Sequence, residues 1–98
     1  MMNINEFKES LSQDKPPANL NAYLRSLWLD ANNDWDSAHA VIQDIEDKKA
    51  AWIHAYLHRK EGDNGNARYW YNRAGKEMPQ VSLDEEWGAI VSTLLQES

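Results

Sequence analysis

Between Trp52 and Gly75 the chain reads WIHAYLHRKEGDNGNARYWYNRAG, and the Gly-Asp break between two helix-compatible stretches constrains the fold to a helical hairpin. Ahead of the break, Ala50, Ile53, Tyr56 and Leu57 recur at the spacing of one helix face. Gly62 suits the left-handed conformation just past a helix end. Asp63 or Asn64 then caps a second helix carrying Ala67, Trp70, Tyr71 and Ala74, which ends near Gly75 and before Pro79. Asn64-Gly65 is also a β-hairpin signal, but its flanks do not alternate apolar and polar residues.

The rest of the chain repeats this kind of pattern. Ile4, Phe7 and Leu11 predict a short first helix with Asn3 or Asn5 as cap, stopped before Pro16-Pro17 because proline cannot donate to a helix ladder. Leu20, Tyr23, Leu24, Leu27, Trp28 and Ala31 predict a second helix, with Asn19 as cap. Asn32-Asn33-Asp34 breaks that run, and Trp35, Ala38, Ile42 and Ile45 begin a third helix capped by Asp34. A further break falls around Glu46-Asp47. Ser82 with Glu85 forms a capping box ahead of Leu83, Trp87, Ile90, Val91, Leu94 and Leu95, the apolar face of a last helix. The expectation is one all-α domain over residues 1–98, with about six helices arranged as antiparallel hairpins and a C-terminal helix capping them.

Charge and composition narrow the function classes. The absence of cysteine excludes disulfides and thiolate metal sites. Neither a basic-apolar leader nor a membrane-length apolar run is present, which predicts a cytoplasmic protein with no membrane partner. A net charge of −6 argues against nucleic acid, whose binding depends on cations neutralising phosphates. That charge is uneven: Lys48 to Lys76 holds seven basic residues against two acidic ones, so the middle hairpin is basic within an acidic chain.

The two central hairpins align on each other at one offset of 29 residues, which pairs Asp34 with Asp63, Ala38 with Ala67, Leu24 with Ile53, Leu27 with Tyr56 and Trp28 with Leu57. Gly62, Ala67, Tyr71, Ala74 and Pro79 match in spacing the second half of a tetratricopeptide repeat. In the first hairpin Asn33 stands for the glycine, Trp35 and Ala38 fit, and Ile42, Ile45 and Ala50 depart from the pattern. The offset is also shorter than that family's period of about 34 residues. Residues Leu20 to Pro79 thus resemble tetratricopeptide hairpins, and the run WIHAYLHRKEGD is similar to a group of small proteins of unassigned function. The resemblance implies stacked helical hairpins that hold a peptide partner along the inner face of each first helix.

On that face the resemblance places Lys49, Trp52, Tyr56, Arg59 and Lys60, whose spacings of three and four put them on one side of a helix. Cations beside aromatic rings suit an acidic or carboxylate-bearing protein or peptide. His54 and His58 join this candidate partner-binding set and carry a second expectation, because helical histidines four apart can share a metal ion if His39, Glu61 or Asp63 supplies a third ligand. The bland alternative is that the rings face a neighbouring helix and the basic stems cover apolar surface. No catalytic residues, resident cofactor or metal are assigned: no serine sits in a nucleophile elbow, and Gly-Asp-Asn-Gly lacks the lysine of a phosphate loop. Hairpins with exposed ends also predict self-association.

Overall fold

The computed structural model describes residues 2–97, and among these every regular element is a helix: α1 (Ile4–Ser10), α2 (Ala22–Ala31), α3 (Trp35–Ile42), α4 (Lys48–Lys60), α5 (Asn64–Ala74) and α6 (Leu83–Glu97). Each start is set by a short polar side chain that accepts from an otherwise unpaired first-turn amide. Asn3 and Glu6 form a reciprocal capping box on α1. Asp34, Asp47 and Asp63 cap α3, α4 and α5, and Ser82 accepts from the Glu85 amide at 3.1 Å ahead of α6. The cap of α2 is Asn21 rather than Asn19. Leu20 therefore precedes the helix, and still packs against the core from outside it.

α2 with α3 and α4 with α5 form two antiparallel hairpins whose turns use the left-handed region. Gly62 has φ +88°, and at the matching place in the first hairpin Asn33 has φ 65°, the conformation that asparagine tolerates best among residues with a Cβ. Ala38 and Ala67 are fully buried where the paired helices touch, so their small side chains set how closely the backbones approach.

α6 closes the fold across α1, α2 and α4, that is, on the side where the first helices of both hairpins lie. Phe7, Leu24, Leu27, Ile53, Tyr56, Trp87, Ile90 and Leu94 meet there in the main core. The indole of Trp87 donates to the Leu27 carbonyl at 3.1 Å, which ties α6 to α2. Trp28 reaches the Ser10 carbonyl at 3.3 Å and holds α1 in place. A smaller cluster of Ala55, Ala67 and Tyr71, with Trp52, Trp70 and Met78 at its edge, sits between α4 and α5. No helix among the described residues is long and apolar enough to cross a membrane.

Candidate functional site

Helix α4 carries all seven residues of the expected partner-binding set, and the fold sends them in three directions. Tyr56, Arg59 and Lys60 are engaged within the chain. The Tyr56 hydroxyl and the Lys60 ammonium donate to the buried Asp30 carboxylate at 3.2 and 3.0 Å. Arg59 donates to buried Glu86 on α6 at 2.8 Å and to the Val81 carbonyl. Glu86 also accepts from both Tyr71 (2.8 and 2.6 Å) and the Trp52 indole (3.3 Å). The expected open groove along α4 is thus corrected at its C-terminal half, where α6 brings Glu86 to Arg59 and α2 brings Asp30 to Tyr56 and Lys60. Burial beside these carboxylates pushes both phenols, Tyr56 and Tyr71, well above the usual tyrosine range. Lys49, half-exposed and paired with Glu97 at 3.0 Å, stays at the surface, as does Lys60 beyond its bond to Asp30, while Trp52 and Arg59 are half-buried.

His54 and His58 leave that face and meet His39 of α3. The helical spacing of four stacks the rings of His54 and His58 with centroids 4.9 Å apart, and the short α3–α4 connection brings His39 across so that its Nε2 lies 2.9 Å from Nε2 of His54. One ring nitrogen from each of the three histidines falls within 4.8 Å of the others. His54 and His58 are buried and His39 is partly exposed. Of the three candidate third ligands, the fold therefore delivers His39; Glu61 and Asp63 approach His58 in a second, more exposed group.

Two indoles wall the cluster. Trp35, one turn before His39, stacks on it at 4.9 Å and donates to the Leu57 carbonyl at 2.8 Å, which fixes α3 against α4. Trp70 of α5 stacks on His54 with centroids 3.9 Å apart and planes 16° apart. The charged form of a histidine is disfavoured in such surroundings. Burial, with His39 and His58 close by, lowers His54 to about 4. His39 is lowered too, first by burial and then by His58, against the opposing pull of Glu61 and Asp36. Both imidazoles are therefore neutral near pH 7 and carry a lone pair.

The His58 ring is oriented from outside the cluster. Its Nδ1 lies 2.6 Å from Oε1 of Glu61, and since a carboxylate can only accept, Nδ1 carries the hydrogen of that bond. A carboxylate holding the far nitrogen of an imidazole is the usual support of a metal ligand. Glu61, Trp35 and Trp70 have no place in the partner-binding set expected from the sequence. The spacing of four from Trp35 to His39, and of three from His58 to Glu61, is the signal that points to two of them.

No family model matches the sequence, and no curated protein or solved structure matches it.

Proposed function

We propose that this protein binds a first-row transition metal ion through His39, His54 and His58, with the two hairpins, read as tetratricopeptide-like, as its scaffold. The observation that carries this reading is the convergence of three imidazole nitrogens from two helices within 4.8 Å. Pure packing is a poorer account: an apolar interior gains nothing from imidazoles whose lone pairs must share hydrogens, while a cation satisfies them together. The fit is close. With nitrogen-to-metal bonds of about 2.0 to 2.1 Å, tetrahedral ligand atoms stand about 3.3 Å apart. The 2.9 Å His39–His54 separation then opens slightly and the wider spacing closes, both by side-chain rotation.

The donor set defines the ion. Three neutral nitrogens without thiolate suit Zn²⁺, Ni²⁺, Co²⁺ or Cu²⁺ in preference to Ca²⁺ or Mg²⁺, which take oxygen ligands. Three protein ligands leave one position for water or an exogenous donor. The reading is tested on tag-free protein stripped with chelator and titrated with Co²⁺ and Zn²⁺. One equivalent should bind, with the visible absorption of nitrogen-ligated tetrahedral Co²⁺ and a Kd below about 1 μM, equivalent to roughly 8 kcal/mol. His39→Ala, at the partly exposed ligand, should abolish it with helicity intact. Absence of stoichiometric binding by folded native protein would exclude the site.

A further inference from the structure

Beyond the histidine cluster, the N-terminal end of α4 carries a second candidate site. A cavity of about 210 Å³ opens where α4, the end of α5 and α6 meet. Its floor is apolar, formed by the Trp52 ring and Leu94, and three lysines, Lys48, Lys49 and Lys76, stand around it with the single acid Glu97. Lys76 lies over the Trp52 ring with its Nζ 4.1 Å from the centroid. Lys49 holds Glu97 at 3.0 Å, whereas among the described residues Lys48 and Lys76 form no ion pair.

We infer that this pocket docks an acidic peptide segment, seating one aliphatic side chain against Trp52 and Leu94 while flanking carboxylates pair with Lys48 and Lys76. Charge complementarity selects the partner. Two ammonium groups without counter-charge among the described residues, held beside an apolar floor, are matched by a carboxylate-bearing chain with an apolar side chain between its charges. Glu97 already displays that chemistry from within the chain, since its carboxylate sits on the rim against Lys49. A nucleic-acid backbone fits less well. Its phosphates form an extended track, whereas here the cations ring one small cavity on a chain of net charge −6.

The inference is independent of metal binding, and its test uses a different readout. A fluorescein-labelled peptide with leucine between pairs of glutamates is titrated with the full chain and followed by anisotropy. Saturable binding that weakens with salt is expected, and the double variant Lys48→Glu, Lys76→Glu should weaken it about tenfold or more, since two favourable pairs become repulsive. Both substitutions are on exposed positions, and circular dichroism together with an unchanged thermal melt verifies the variant's fold. No binding to native protein, equal binding by the folded double variant, or equal binding of a peptide with serine in place of leucine would each overturn the docking site. Equal binding of a single-stranded oligonucleotide would do so as well, by reducing the pocket to a general anion contact.

Discussion

At the scale of the residue, burial makes His54 and His39 weaker bases than a free imidazole. His54 unfolded takes its proton near 6.5, and folded only near about 4. Between those values the unfolded chain binds more protons than the native one, so acidification favours unfolding. In metal-free protein, denaturant midpoints should therefore fall as the pH drops from about 6.5 towards 4. His54→Phe, which keeps a flat ring against Trp70, should flatten that dependence; a profile of unchanged steepness would show that His54 is not its source. His39, His58, Glu61 and Asp36 all face the same ring or its neighbours and shape the remainder. Glu61 permits a second measurement. Glu61→Gln keeps the size but not the charge that polarises His58, and Co²⁺ affinity should fall about 10- to 100-fold with unchanged stoichiometry.

At the scale of the element, the turns and caps were legible because they depend on neighbours in sequence. Gly62 announced a left-handed residue and adopts it, and Asn33, which stands for that glycine in the first hairpin, adopts it too. Since no atom lies within 4 Å of a Cβ placed on Gly62, Gly62→Ala should cost only backbone strain, about 1 kcal/mol. Asn33→Gly should be near neutral or slightly stabilising; thermal melts of both variants check the pair. The end of the α4 face was not legible. Arg59 and Lys60 read as surface cations until α6 and α2 bring Glu86 and Asp30 to them from 27 and 30 residues away, and no local pattern encodes that meeting. Asn19 was misread for Asn21 for a related reason: Leu20 packs on the core without being helical, so it extends the apolar stripe beyond the helix. Glu86→Ala leaves Arg59 without its buried partner and should destabilise by about 3 to 5 kcal/mol, as measured by urea unfolding.

At the scale of the whole molecule, the histidine cluster bridges the two hairpins, because His39 belongs to the first and His54 and His58 to the second. A bound ion would add a further fastening to units already joined across α2, α3 and α4 by packing and by the bonds of Trp35, Tyr56 and Lys60. Metal at 100 times its Kd should then raise stability by about 2.7 kcal/mol and the melting temperature with it, provided the unfolded chain does not compete for the ion. His39→Ala should remove that increment. The cluster itself was half legible: the spacing of His54 and His58 lies within one helix, whereas the arrival of His39 depends on how α3 crosses α4, which the sequence expresses only as one of three alternatives. Glu86 couples the molecule differently. Donors from α4 and α5 converge on its single carboxylate, so losing Trp52, Arg59 or Tyr71 alters what the other two are worth. Substitutions at these three positions will not combine as a sum, and the contribution of each is defined only by stating which of the others are present.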